Sequence, residues 1–267
     1  MTIDEALALA RQLGVERGDA QTLLGHLTGQ SRTWLVTHGD APAPGAEGLL
    51  RRLAAREPLA HVTGWQPFHG LTLAVTPDTL IPRPDTETLV DWALELLADL
   101  PGQPSVADLG TGSGAIALAI KAACPHARVT AVDVSAQALA VASANGERLG
   151  LAVDWRLGNW FAPLTGQRFD LIVSNPPYIA GDDPHLPDLR HEPITALTPG
   201  GDGLDDLRTL VEAAPHHLTP GGWLLLEHGW DQADAVAQQL TTRGFAEVTL
   251  RRDLAERARA SGGRWPG

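Results

Sequence analysis

A chain of 267 residues, 43% of them hydrophobic, can bury a full core and has room for one large domain or two smaller ones. Its net charge of −12 argues against a sequence-independent nucleic-acid binder, whose affinity comes mostly from basic contacts to phosphate. The single cysteine, Cys124, excludes a disulfide framework and a thiolate metal cage. No apolar run reaches the roughly 20 residues of a membrane span. The opening Met1-Thr2-Ile3-Asp4-Glu5 lacks the basic and apolar regions of a signal peptide, so a cytoplasmic protein is expected.

Helical spacing of apolar residues predicts helices over 4–13 and 20–27, and Ser31 is placed to cap a third through Val36. The run Asp40-Ala41-Pro42-Ala43-Pro44-Gly45 predicts a loop, after which 49–56 resumes the helical pattern. These residues carry no strand signal, and 1–58 is expected to be a small helical domain. Turn residues Gly64, Pro67 and Gly70 between short apolar runs predict a β-hairpin linker over 59–80. Strands and helices then alternate. Strands are expected at 105–109, 128–132, 171–174, 223–227 and 246–250, and helices at 85–97, 115–123, 136–149, 204–214 and 233–240. This alternation predicts a doubly wound α/β domain with ligands at the strand C-termini.

The glycine-rich run Asp108-Leu109-Gly110-Thr111-Gly112-Ser113-Gly114 follows a strand and opens a helix. Glycines allow a tight turn and close backbone approach to a ligand, and a helix N-terminus offers N–H groups to an anion. Asp133, ending the next strand with Val134 after it, stands where a carboxylate meets ribose hydroxyls. Gly110, Gly112 and Ala115 also satisfy the G-x-G-x-x-A pattern of dinucleotide enzymes. Asp108, two positions before the first glycine, favours S-adenosylmethionine.

Strand 171–174 runs into Asn175-Pro176-Pro177-Tyr178. Two prolines fix φ and can aim a carbonyl into a pocket. The Asn175 side-chain carbonyl and the Pro176 carbonyl can together accept both hydrogens of a planar –NH2 group, and Tyr178 can stack on it. An amide nitrogen is a poor nucleophile, so fixed acceptors that favour the charge developing on it are what its methylation requires.

At these residues the chain resembles the HemK/PrmC family of release factor glutamine methyltransferases. The resemblance extends to Arg56-Glu57-Pro58-Leu59, Phe68-His69-Gly70-Leu71, Ile81-Pro82-Arg83-Pro84-Asp85-Thr86-Glu87, Glu192-Pro193, Asp202-Gly203-Leu204 and Glu227-His228-Gly229. It implies a Rossmann-like class I methyltransferase domain over 81–267 with a mainly parallel seven-stranded sheet. It implies S-adenosyl-L-methionine as cofactor, S-adenosyl-L-homocysteine as product, and no metal. Asp108, Gly110 to Gly114, Asp133, Val134, Asn159, Trp160 and Asn175 would hold the cofactor, with Trp160 near the adenine. Asn175, Pro176, Pro177 and Tyr178 would bind the glutamine of a Gly-Gly-Gln motif in class 1 peptide chain release factors, gripped partly by the helical domain. A monomer without direct nucleic-acid contact is expected. Asn159 replaces the Asp often found there, and Ala60-His61 replaces a common Gln-Tyr.

Two other readings carry distinct signatures. An adenine-N6 type nucleic-acid methyltransferase shares the Asn-Pro-Pro-Tyr logic but needs an extruded base. A cofactor-binding regulator without catalysis would have no use for an intact Asn175-Pro176-Pro177-Tyr178. Outside these motifs, Arg83 with Glu87 reads either as a substrate entrance or as a helix-start ion pair, and Arg190 with Glu192 either as a lid or as a local ion pair. His228 is expected to be a hydrogen-bonded structural residue.

Overall fold

A computed structural model describes residues 1–267, which form two compact units, Met1–Trp65 and Gln66–Gly267. The first is helical: α1 (Ile3–Gln12), α2 (Arg17–Thr28), α3 (Arg32–Thr37), α4 (Ala46–Ala54) and α5 (Leu59–Thr63). Thr2 and Glu5 close a capping box at the start of α1, each side chain satisfying the other's backbone N–H. Ser31 caps α3 by accepting from Trp34 N, the role its position predicts. Ile3, Ala6, Leu23, Leu24, Leu35 and Leu50 form its buried core. The short α5 occupies residues where the turn-rich composition predicts only linker.

The second unit opens with a hairpin, β1 (Trp65–Phe68) and β2 (Leu71–Ala74), joined by the two-residue turn His69-Gly70. A 3₁₀ turn (Pro84–Thr86) leads into α6 (Glu87–Ala98). Then follow β3 (Ser105–Leu109), α7 (Ala115–Ala123), β4 (Arg128–Asp133), α8 (Ala136–Leu149), β5 (Asp154–Leu157), β6 (Phe169–Ser174), α9 (Asp205–Ala213), β7 (Leu218–Glu227), α10 (Ala233–Arg243), β8 (Ala246–Arg252) and β9 (Ala258–Arg264). Seven strands form one sheet in the order β5-β4-β3-β6-β7-β9-β8. β3 to β7 run parallel, and β9 runs antiparallel to both β7 and β8. The mainly parallel seven-stranded architecture expected from the sequence is therefore present. Two strands escape hydropathy reading: β5, only four residues with charged and apolar side chains alternating, and β9, built from Ala, Ser, Gly and Arg.

Both sheet faces are covered, which is why the central strands β3 and β6 are buried almost throughout. Leu171 and Val173 face one core with Val106, Ile116 and Trp92, whereas Ile172 between them faces the other with Leu207 and Leu224. The chain steps outward from β3 through β4 to β5, then returns to β6 on β3's other side. This reversal opens a crevice at the C-terminal ends of β3 and β6, where such sheets bind ligands.

Candidate active site

The loop after β3 is braced from below. Asp108 is fully buried, and its Oδ2 accepts from Thr111 Oγ1 at 2.6 Å and from Ala117 N at 3.1 Å, tying loop to α7. Burial raises its pKa to about 7, against the opposing pull of those hydrogen bonds. Its Oδ1 has no partner. Gly110, Gly112 and Gly114 all take positive φ (73°, 56° and 85°), a conformation that side chains resist. A Cβ on Gly110 would also lie 3.1 Å from the Trp160 ring. Asn145, buried on α8, donates to Ser113 O at 3.0 Å and pairs with both backbone groups of Ala74, so α8 fixes loop and hairpin together.

Asp133 ends β4 with both carboxylate oxygens on backbone donors: Gly112 N at 2.8 Å and Ser135 N at 2.8 Å. Each oxygen keeps a lone pair for a further donor. Trp160, at φ 46°, turns its ring over Gly110, and its side chain hydrogen-bonds Asp206. These groups line a cavity of about 270 Å³, together with Leu80, Ile116, Val134, Ala138 and Asn159. That size is near the roughly 300 Å³ at which small-molecule sites begin.

Asn175 and Pro177 line the same cavity. Ser174, at the end of β6, donates to Leu109 O at 2.6 Å and anchors the motif to β3. Asn175 Nδ2 donates to Thr86 Oγ1 at 3.3 Å. Tyr178 is turned away from the lining: its hydroxyl donates to Glu227 Oε1 at 3.2 Å, and its carbonyl accepts from Gln232 Nε2 at 2.9 Å. Burial, then the adjacent Glu227, push the phenol's pKa well above its ordinary value. Of the residues singled out from sequence, Gly110 to Ser113, Asp133, Val134, Asn159, Trp160, Asn175 and Pro177 share the cavity wall. Asp108, Gly114, Pro176 and Tyr178 are not among the residues that line it.

The helix-start pairing of Arg83 with Glu87 is not present. Arg83 pairs with Glu192, which also accepts from Ile81 N at 2.8 Å, while Glu87 accepts from His69 N at 2.8 Å. Glu192 thus ties the segment after the Asn-Pro-Pro-Tyr motif to the strand-free run before α6. His228 is buried, with Nδ1 on Gly229 O and Nε2 on Ser261 Oγ, the structural role expected of it. Sequence reasoning missed Thr86 and Asp206 as site residues. Both lie far along the chain from the residues they bond; Thr86 falls within the Ile81 to Glu87 run, but nothing in that run points to Asn175.

Residues 87–229 match the family described as Methyltransferase small domain, and residues 4–64 match the PrmC N-terminal domain. The chain is 52% identical over 270 residues to a release factor glutamine methyltransferase of Xylella fastidiosa, covering 98% of each. It is 42% identical to the Escherichia coli protein of the same description, covering 98% of this chain and 96% of that one. A methyltransferase from Pyrococcus furiosus superposes with a TM-score of 0.56 at 21% identity, over 83% of this chain and 99% of that one, a likeness of fold.

Proposed function

The chain belongs to the release factor glutamine methyltransferase family, and from that premise we propose that it transfers a methyl group from S-adenosyl-L-methionine to the side-chain amide nitrogen (N5) of the glutamine in the Gly-Gly-Gln motif of class 1 peptide chain release factors. The observation that carries the reading is the meeting of Asn175 and Pro177 with the glycine loop and Asp133 on one cavity wall.

The residues fit the cofactor. Asp133, held by two backbone donors, presents lone pairs to vicinal ribose hydroxyls. The apolar side chains of Ile116, Val134 and Ala138 suit an adenine ring, beside Trp160 and Asn159. The loop and the uncapped start of α7 suit the amino-acid carboxylate. When bound, S-adenosylmethionine supplies an electrophilic methyl and a neutral leaving group. The protein's part is positional. Asn175 Oδ1 and the Pro176 carbonyl accept the two amide hydrogens, which turns the nitrogen lone pair toward the methyl and favours the positive charge developing there. The proton leaves to water after transfer.

The test is transfer of labelled methyl to a purified release factor, beside a factor with Gly-Gly-Ala in place of Gly-Gly-Gln and a nucleic-acid control. Label is expected on the wild-type factor alone, and Asn175→Ala should lower kcat roughly 100-fold or more while sparing much of the cofactor affinity. Label on nucleic acid and none on the factor would overturn the assignment.

A further inference from the structure

Resting on the glutamine-methylation reading, we propose that Thr86 and Glu227 are positioning residues that fix which end of the Asn175 amide faces the cavity. The two ends of an asparagine amide have nearly the same shape, but only the oxygen can accept hydrogens from a substrate –NH2. Something must therefore select the flip. Thr86 is 4% exposed, and its Oγ1 receives Asn175 Nδ2 at 3.3 Å. A hydroxyl has one hydrogen to give. Thr86 gives it to the Glu227 carboxyl, which lies fully buried at the C-terminal end of β7. An ionised carboxylate has no hydrogen to return, so Thr86 can only accept from Asn175. The nitrogen end is consumed and Oδ1 is left for the substrate.

Glu227 is itself held. Tyr178, from the loop after β6, donates to its Oε1 at 3.2 Å. Arg259 from β9 and Asp85 from the turn before α6 face it with opposite charges, and Arg259 also pairs with Asp85 and Asp253. The neighbouring His228 turns to Ser261. Oε2 is buried without a partner, a costly arrangement that packing alone does not call for. Burial keeps the Glu227 proton up to about pH 7. A protonated Glu227 can donate to Thr86 and release the hydroxyl hydrogen toward Asn175, which loosens the flip. The device thus works in the ionised form, and kcat should fall as pH drops through neutrality.

Steady-state kinetics of the full chain with purified release factor, from about pH 5.5 to 9, test this. Thr86→Val, isosteric but without the hydroxyl, should lower kcat about tenfold, the worth of one hydrogen bond, with cofactor Kd little changed. Thr86→Ser should restore most of it, and Glu227→Gln should abolish the acidic limb. If Thr86→Val unfolds, Thr86→Ala provides the same comparison with Thr86→Ser. Near-normal kcat in the hydroxyl-free variant, or a serine variant as impaired as the valine one, overturns the role of Thr86. An acidic limb unchanged in Glu227→Gln overturns that of Glu227. A wild-type enzyme silent on the factor overturns the underlying reading instead.

Discussion

Asp133 does two things with one carboxylate. It locks the glycine loop through Gly112 N and caps the approach to α8 through Ser135 N. It also faces the cavity, so the group that would meet the ribose is pre-aligned by the backbone it organises. Asp133→Asn replaces one acceptor by a donor, setting N–H against N–H at one of these bonds. The expected loss is about 1.5–3 kcal/mol, or roughly 10- to 100-fold in the Kd for S-adenosylmethionine, read by titration calorimetry. A Kd within twofold of wild type would mean that this carboxylate does not hold the cofactor. Asp133 was legible from its spacing after the glycine loop. Tyr178 was legible only by name: its motif suggested stacking on the substrate, but the Glu227 pocket that takes its hydroxyl is assembled from β7 and β9.

Strand β9 explains why the late part of the sheet was hard to read. It sits between β7 and β8 with its small residues buried from both sides. A Cβ on Gly262 would lie 2.5 Å from Leu225 Cδ2 and 2.7 Å from Trp92 Cη2. The core demands absence of side chain here, and absence leaves no hydropathy signal. Gly262→Ala should destabilise the protein by about 1–3 kcal/mol through overpacking, seen as a lower denaturation midpoint in urea. An unchanged midpoint would show that Trp92 moves aside freely. At the other edge, β5 is four residues, none of them fully buried, and its pairing to β4 makes it a strand. By contrast, β3, α7 and α8 fall where the sequence predicts them, because apolar pattern agrees with the glycine turn that opens α7 and the Ser135 cap of α8.

Across the whole molecule, buried acids give stability an unusual pH dependence. Asp108 and Glu227 both have folded pKa values raised to about 7 by burial, above their unfolded values near 4. A raised pKa favours the protonated form in the fold. Their contribution is therefore full below about pH 4 and is lost as pH rises toward 7. His217 and His228, lowered by burial, act with the opposite sign as pH falls below about 6.5. Asp108→Asn isolates one share, because it keeps an oxygen for Thr111 and Ala117. Measured by Tm without cofactor, the variant should gain on wild type as pH goes from 5 to 8. A constant difference across that range would refute the raised pKa. The −12 charge and the site motifs were properties of the sequence, as were the helical first unit, the alternating second unit and the loop that follows β3. These are set by local spacing, turn chemistry and residue type, which act over a few neighbours. Tertiary structure alone decided that Glu192 reaches Arg83, that Asp206 meets Trp160, and that Thr86 and Glu227 stand behind Asn175. Those partners are separated by tens to more than a hundred residues. Local sequence does not register such separations; the fold closes them, and for Glu227 and Arg259 it does so by setting β7 between β6 and β9.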